Sequence, residues 1–128
     1  MPVRSFRELV VWQKAMDLAE TIYSVTGTWP RVEIYGLTSQ IRRAAVSVPS
    51  NIAEGQGRMT RGEFVQYLGI AYGSLMEVET QMLLALRLGY AAPGDADRVS
   101  VAAAEVGRLL NGPVRALSTD HRPLTTDH

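Results

Sequence analysis

One apolar stripe constrains the fold of this chain more than any other feature. It recurs at alternating spacings of three and four residues, which is typical of a helix in a bundle or coiled coil. Thr60 and Glu63 in "TRGE" form a capping box at its start, and Gly89 is the expected cap at its end. A helix that runs from Thr60 to Gly89 needs partners that bury its apolar face. The stripe consists of Phe64, Leu68, Ala71, Leu75, Val78, Met82 and Ala85.

Three further segments carry the helical period. The first is predicted over about residues 5–26 with Ser5 as its cap, the second from about residue 37 to a left-handed glycine cap at Gly55 or Gly57, and the fourth over about 93–118. Pro113 is expected to bend the fourth helix or end it early. Short connections favour antiparallel neighbours, so we predict an all-α, antiparallel, up-down four-helix bundle over residues 1–118, followed by a disordered polar tail over 119–128.

The apolar faces of the other helices follow from the same spacing. In the first helix we expect a main core stripe of Leu9, Trp12, Met16, Ala19 and Tyr23, widened by Leu18, Ile22 and Val25. In the second helix we expect Leu37, Ile41, Ala44, Ala45, Val48 and Ile52 to face the core. In the fourth helix we expect Val99, Ala103, Val106, Leu110, Val114 and Leu117 to face it.

The available residue types exclude several classes of enzyme. The chain has no cysteine, and its two histidines, His121 and His128, stand in the predicted tail. Disulfides, a Ser-His-Asp triad and a Glu-x-x-His di-iron centre are therefore excluded. A metal site built only from the carboxylates of Glu54, Glu77 and Glu79 stays open as an alternative. We predict a protein with no enzymatic activity, no cofactor and no metal.

Targeting signals are also missing from the sequence. The first residues, "MPVRSFRELVVWQK", place charges on both sides of a short apolar patch, unlike a signal peptide. No stretch approaches the roughly 20 apolar residues that span a bilayer. We therefore expect a cytoplasmic protein that has no membrane partner.

A polar stripe runs along the second helix beside its apolar face. Its members lie about 100° from the centre of that face, so the stripe is expected to meet another helix or another subunit. If the second and third helices are antiparallel, Arg43 comes near Ser74, within reach of Glu77. We expect an Arg43–Glu77 ion pair in preference to phosphate binding by Arg43. The stripe consists of Gln40, Arg43, Ser47, Asn51 and Glu54.

Arginines are concentrated in the middle of a chain whose net charge is zero. Residues 31–61 contain five arginines against Glu33 and Glu54, which leaves a net charge of +3. This excess is a modest electrostatic footprint for nucleic acid. Direct nucleic-acid binding through a basic patch is therefore an alternative function. Its candidate residues are Arg31, Arg42, Arg43, Arg58 and Arg61.

Loop, aromatic and glycine motifs permit other interpretations. "GQGRMT" lacks the Gly-Lys-Ser/Thr ending and the preceding strand of a phosphate loop, so we predict a turn between helices. Trp12, Tyr67 and Tyr72 offer surfaces for base stacking, although aromatic residues at helical spacing are more typical of a core or an interface. Gly69 and Gly73 lie four residues apart, where they would let a neighbouring backbone approach closely.

Three quoted stretches carry a family resemblance that covers about residues 6–90. "FRELVVWQKAMDLAETIY", "WPRVEIYGLTSQIRRAAVSVPSNIAEGQGR" and "EFVQYLGIAYGSLMEVET" resemble the four-helix bundle family of 23S rRNA intervening-sequence proteins. The motif that carries the resemblance consists of Gln40, Arg42, Arg43, Ala44, Ser47, Asn51, Ile52, Ala53, Glu54 and Gly55, reinforced by Ala71, Gly73, Ser74 and Glu77.

The resemblance implies an up-down bundle that assembles as a homopentameric ring without enzymatic activity. A related group comprises accessory proteins of diversity-generating retroelements, which bind reverse transcriptase and nucleic acid. Those proteins are strongly basic, whereas this chain is neutral. We therefore expect a scaffold or binding module that binds itself, with RNA or an RNA-bound protein as a further partner and direct rRNA binding as the alternative. The expected motif and interface residues are Gln40, Ser47, Asn51, Glu54, Gly55, Gly73, Ser74 and Glu77.

Overall fold

Four α-helices make up most of the structure, a computed structural model that describes the backbone of residues 5–119 and the side chains of residues 5–112. The helices are α1 (Val10–Thr26), α2 (Leu37–Gln56), α3 (Arg61–Arg87) and α4 (Pro93–Thr119). Two short 3₁₀ helices, Phe6–Glu8 and Arg31–Glu33, precede α1 and α2. Within residues 5–119 there is no β-strand, so the all-α prediction with four helices is confirmed. Residues 120–128 of the predicted tail, with both histidines, lie outside the described residues.

Each helix packs against two others around one core. α2 contacts α1 and α3, and α4 also contacts α1 and α3. Ser47 of α2 meets Ser74 of α3, and Gly55 near the end of α2 lies against Phe64 and Tyr67 near the start of α3. Contact positions therefore descend along α3 as they rise along α2. The predicted register is displaced by about one helical turn, since Ser47 and not Arg43 lies opposite Ser74.

The apolar stripe of α3 forms its buried face, as its spacing predicts. Every member from Leu68 to Ala85 is buried, and Phe64 is partly buried against the core. All six core residues predicted in α2 are also buried, as are the four predicted in α4 up to Leu110. Val114 and Leu117 lie outside the described side chains. The α4 backbone continues past Pro113 to Thr119, so Pro113 does not end the helix early.

The core prediction for α1 is partly wrong. Ala19 and the three residues expected to widen the stripe, Leu18, Ile22 and Val25, are buried, but other members of the main stripe are not. Met16 and Tyr23 are exposed, and Trp12 is only partly buried. The two rows are adjacent and have the same spacing, so only packing against both α2 and α4 decides which one is covered. The row that enters the core consists of Val11, Ala15, Leu18, Ile22 and Val25.

Two of the predicted helix ends are confirmed and two are corrected. The Thr60 hydroxyl accepts a hydrogen bond from the Glu63 backbone N–H at 3.1 Å. Gly89 follows α3 and adopts a left-handed φ of 79°, as predicted for the C-terminal cap of this helix. Ser5, however, caps the Phe6–Glu8 turn through the Arg7 N–H, and α1 starts only at Val10. Gly57 ends α2 with a right-handed φ of −81°, so the left-handed cap predicted there is wrong.

Gly55 is the glycine at which α2 and α3 approach most closely. A Cβ on Gly55 would lie 2.8 Å from the Tyr67 Cβ and 3.1 Å from a Phe64 ring carbon. At Gly69 and Gly73 a Cβ would meet nothing within 4 Å, so no described part of the chain uses the close approach predicted there. Among residues 5–119, no helix is both long and apolar enough to cross a membrane.

Candidate functional site

A polar seam between α2 and α3 is formed by Ser47, Asn51 and Ser74. The Ser47 and Ser74 hydroxyl oxygens lie 2.8 Å apart, and Ser74 is only 8% exposed. The Asn51 amide donates to the Ser47 carbonyl at 2.8 Å and to its hydroxyl at 2.9 Å. Three of the expected motif residues therefore belong to one network, which satisfies a buried hydroxyl between the helices.

A polar cleft continues from this seam towards the start of α2. Its volume is about 440 Å³, and Gln40, Arg43, Glu77 and Gln81 line it together with Ser47. Arg43 and Glu77 share the cleft, but neither makes a hydrogen bond or an ion pair with the described residues, so the predicted ion pair is wrong. Arg43 precedes Ser47 by one helical turn and Glu77 follows Ser74 by three residues, so the two side chains lie at the same level of the cleft but do not come within bonding distance.

Gln81 contributes an unsatisfied atom to the polar cleft. Its Oε1 is buried and has no hydrogen-bond partner among the described residues. A buried acceptor without a donor typically costs about 1–3 kcal/mol. The cleft therefore presents an acceptor, a carboxylate and a guanidinium that are not bound to one another.

Arg42, the neighbour of Arg43 in the chain, is bound to the end of α1. Its Nε donates to the Thr26 hydroxyl at 2.8 Å, and its Nη2 donates to the Tyr23 carbonyl at 3.3 Å. The guanidinium also lies 4.5 Å from the centre of the Tyr23 ring, a cation–π arrangement. Arg42 thus supplies a positive charge and hydrogen bonds at the C-terminus of α1, where helix carbonyls need donors.

Arg58 is bound in a second cluster at the far end of α2. Its Nη2 donates to the Glu54 carboxylate at 2.8 Å and to the Tyr67 hydroxyl at 2.6 Å, and it lies 4.8 Å from the Tyr67 ring centre. The nearby Tyr67, followed by Glu54, raises the pKa of Arg58. Glu54 and Tyr67 are therefore engaged by Arg58 within the chain.

The five candidate arginines do not form one patch. Arg31 and Arg42 line a cleft beside Trp29, before and within the first turns of α2, whereas Arg58 and Arg61 follow its end. The part of α2 from Arg42 to Gln56 separates these two groups by about 20 Å along the helix. Arg31 and Arg43 make no hydrogen bond or ion pair with the described residues.

The carboxylate-only metal site does not assemble. No group of three or more His, Cys, Asp or Glu side chains within the described part of the chain is placed to hold a metal ion. Glu54 is bound to Arg58, and Glu77 lines the polar cleft. The alternative based on Glu54, Glu77 and Glu79 is therefore wrong.

The remaining aromatic candidates are partly buried. Trp12 packs edge-on against Phe6, with ring centres 5.2 Å apart. Tyr72 packs against the core, where its ring lies near Gly107 of α4. Both rings therefore make contacts within the chain.

Sequence reasoning missed a cap at the start of α2. One Glu33 oxygen accepts from the Leu37 backbone N–H at 2.9 Å, and the other accepts from the Tyr90 hydroxyl at 2.9 Å. These two hydrogen bonds lower the pKa of Glu33, and the bond to Glu33 raises the pKa of Tyr90. The signal in the sequence was an acidic residue just before a helix start, where carboxylates interact favourably with the helix dipole.

Sequence reasoning also missed an apolar groove between α1 and α2. Its volume is about 550 Å³, and nearly all of its lining is apolar. Met16 and Tyr23, which had been predicted to enter the core, form part of its wall, and Glu20 is its one charged lining residue. The lining residues of the apolar groove are Phe6, Trp12, Met16, Ala19, Glu20 and Tyr23 on one side, with Val46, Pro49, Ser50 and Ala53 of α2 on the other.

Comparison with known proteins agrees with the helical architecture. A family model described as 23S rRNA-intervening sequence protein matches residues 7–112. The chain is also similar to the crystal structure of a protein of unknown function from the S23 ribosomal protein family of Bacteroides thetaiotaomicron, with a TM-score of 0.74 and 22% identity. That alignment covers 83% of this chain and 99% of the other, and at this identity it shows the fold alone. No curated protein matches the chain.

Proposed function

The chain belongs to the 23S rRNA-intervening sequence protein family, and from this membership we propose that it is a non-enzymatic scaffold or binding module that assembles with itself. The observation that carries the proposal is the apolar groove between α1 and α2. Contiguous exposed apolar surface on a single copy marks a site of interaction with another macromolecule. The surface is set on two helices of the bundle, so it is rigid enough to be a docking face.

The proposed unit of assembly is an antiparallel, up-down bundle, and the proposed assembly is the homopentameric ring that the family resemblance implies. In a cyclic assembly every copy presents the same pair of surfaces to its neighbours. The groove and the exposed side chains of the short connections supply apolar surface of the kind that such contacts bury.

Native mass spectrometry combined with light scattering tests this proposal. The expected species is a closed oligomer of the 14.0 kDa chain, about 70 kDa for a pentamer. Observation of the monomer alone at micromolar concentration would remove self-assembly from the proposal. Another closed ring would retain self-assembly and correct only the number of copies.

Direct binding of rRNA is the second candidate, and the arginines without partners favour it. Arg31 and Arg43 are exposed and make no hydrogen bond or ion pair with the described residues, so both are available for phosphate. Arg42 and Arg58 would first have to leave hydrogen bonds within the chain. Binding through Arg31 and Arg43 alone predicts weak, salt-sensitive affinity.

A filter-binding titration against rRNA at several salt concentrations tests the second candidate. Each phosphate contact contributes a slope of about −0.7 to −0.9 in a plot of log affinity against log salt. The variant Arg43→Ala is expected to make that slope less steep by about one contact. If no RNA is retained at low salt, this candidate is rejected, and the self-assembly proposal is unaffected.

A further inference from the structure

The connection between α1 and α2 exposes apolar side chains next to a charge without a partner. Tyr35 is 95% exposed and Val32 is 84% exposed, and Ile34 beside them is half exposed. Arg31 at the start of this connection makes no hydrogen bond or ion pair with the described residues. We call residues 31–35 the apolar loop. When a partner covers large apolar side chains in such positions, the complex is stabilised by roughly 25 cal/mol for each Å² of apolar surface buried.

The apolar groove has complementary properties. It is concave and lined by aromatic and aliphatic side chains, whereas the loop is a projecting segment with apolar side chains of its own. The one charged residue in its lining is Glu20, which is exposed and makes no hydrogen bond or ion pair with the described residues. In the loop, Glu33 is held by the Leu37 N–H and the Tyr90 hydroxyl, so Arg31 is its charge without a partner. The loop therefore presents apolar side chains with one unpaired positive charge, and the groove presents an apolar cleft with one unpaired negative charge.

We propose that the apolar loop of one copy of this chain docks in the apolar groove of another copy. In this contact Val32 and Tyr35 enter the groove, and Arg31 of the first copy faces Glu20 of the second. The inference rests on the proposed function, because it requires self-assembly, but it adds which two surfaces meet. Pairing of opposite charges across the contact fixes its register and disfavours other arrangements.

A contact between two different patches can form in two ways. It is reciprocal in a two-fold dimer, where each loop fills the partner's groove, and heterologous where each copy uses its loop with one neighbour and its groove with the next. Such contacts close into a ring when the rotation between copies allows it, and they extend into a filament when it does not. The proposed ring requires the heterologous form, and the double-cysteine variant described below distinguishes it from a reciprocal dimer, which would give covalent dimers without a ladder.

Disulfide cross-linking between copies tests which surfaces meet. The chain contains no cysteine, so introduced thiols are its only ones. Ile34→Cys places a thiol in the loop, and Ser50→Cys places one in the groove, while Val32, Tyr35 and Met16 stay intact. Disulfides form only when the two Cα atoms come within about 7 Å.

Under mild oxidation, a mixture of the two single variants is expected to give covalent dimers. The double variant is expected to give a ladder of covalent oligomers, because each copy then has one thiol for each neighbour. Each single variant alone is expected to give little product. The matched control uses Val101→Cys in place of Ile34→Cys. Val101 is an exposed residue of α4, and its thiol is expected to give no cross-link with Ser50→Cys. Equal cross-linking of the loop pair and the control pair would overturn the inference.

Charge reversal at Glu20 and Arg31 provides a second test. Both residues are exposed, so their substitution is expected to leave the fold intact. Glu20→Arg and Arg31→Glu are each expected to cause loss of the assembled species at a concentration where the wild type assembles. In an equimolar mixture, every contact between unlike variants again joins opposite charges, so non-covalent assemblies in which the two variants alternate are expected to recover in light scattering. Far-UV circular dichroism checks that each variant keeps its helices.

The outcomes separate the inference from the function on which it rests. If the wild type assembles but the charge reversals assemble equally well and the loop pair does not cross-link, the loop-to-groove contact is wrong and self-assembly stands. If the wild type is monomeric throughout, both proposals are rejected.

Discussion

Helix α2 meets α3 on one side and α1 on the other, and the two contacts are built from different residues. Towards α3, Gly55 admits the Tyr67 side chain, and Ser47 binds Ser74 across the interface. Towards α1, Arg42 binds the last turn of α1, while the middle of the contact opens into the apolar groove. Small residues and paired hydroxyl groups complete the first contact within one chain, whereas large apolar residues leave the second open to a partner.

The two contacts give different roles to the motif residues that face α3 and to the residues that line the apolar groove. Ser47, Asn51, Gly55 and Ser74 belong to contacts that the chain completes by itself. Their role in a single copy is to fix how α2 sits on α3. The groove residues add little to that arrangement, so substitutions on the two sides of α2 are expected to separate stability from assembly.

The largest effect is expected at the closest approach of α2 and α3. Gly55→Val is expected to lower the free energy of unfolding by about 1–3 kcal/mol, because the added carbons overlap with Tyr67 and Phe64. Urea denaturation measures the change. Gly69→Ala is the matched control and is expected to raise the free energy of unfolding by about 0.5–1 kcal/mol, since a Cβ there meets nothing and glycine weakens a helix interior. Similar effects at both positions would contradict the close packing at Gly55.

The hydroxyl pair of the polar seam comes next. Ser74→Ala is expected to cost about 1–2 kcal/mol, because Ser47 loses a partner at a site largely hidden from water. The double variant with Ser47→Ala is expected to cost less than the sum of the two single changes. Urea denaturation of all four proteins in the cycle measures this coupling. Additive effects would show that the two hydroxyl groups do not interact.

The consecutive arginines give a matched comparison with a smaller effect. Arg42→Met is expected to lower the free energy of unfolding by about 0.5–1.5 kcal/mol, because it removes hydrogen bonds to α1 and the cation–π contact with Tyr23. Arg43→Met is expected to change it by no more than about 0.5 kcal/mol, since Arg43 has no partner to lose. Thermal unfolding followed by circular dichroism distinguishes the two. Equal losses would contradict the contrast between these neighbours.

The smallest expected effect is a pH dependence at the start of α2. The folded state lowers the pKa of Glu33, so the stability contributed by its carboxylate is present above the ordinary glutamate pKa and is lost as the pH falls through the lowered value. Wild type and Glu33→Gln are compared by urea denaturation at about pH 6 and about pH 3. The stability difference between them is expected to shrink at the lower pH. A difference that grows on acidification would contradict the role of the charged Glu33 as a cap.

Helix positions and much of the core were predictable from the sequence, because both depend on local spacing. Every residue from Leu68 to Ala85 in the α3 stripe is buried, and Thr60 and Gly89 cap that helix as their residue types indicate. The polar stripe of α2 was expected beside a second helix, and α3 is that helix.

The candidate site was less predictable, because contacts between distant segments depend on register and on the choice of face. A displacement of about one turn between α2 and α3 made Ser47, and not Arg43, the partner of Ser74. Arg43 and Glu77 came to share a cleft without an ion pair, which depends on side-chain conformation and not on spacing. Proximity in the sequence also suggested one basic patch, whereas Arg31 precedes α2, Arg42 and Arg43 lie in its first half, and Arg58 and Arg61 follow its end.

The sequence by itself determined the four helical periods, the Thr60 and Gly89 caps of α3, and the residue types available for chemistry. These properties arise from hydrogen bonds and side-chain spacing within a few residues of chain. The tertiary structure alone decided that Val11 and not Trp12 enters the core, that Arg42 is bound while Arg43 has no partner, and that a predicted core row becomes the wall of a groove. Adjacent rows of one helix have the same period, so only the positions of the neighbouring helices determine which row is buried.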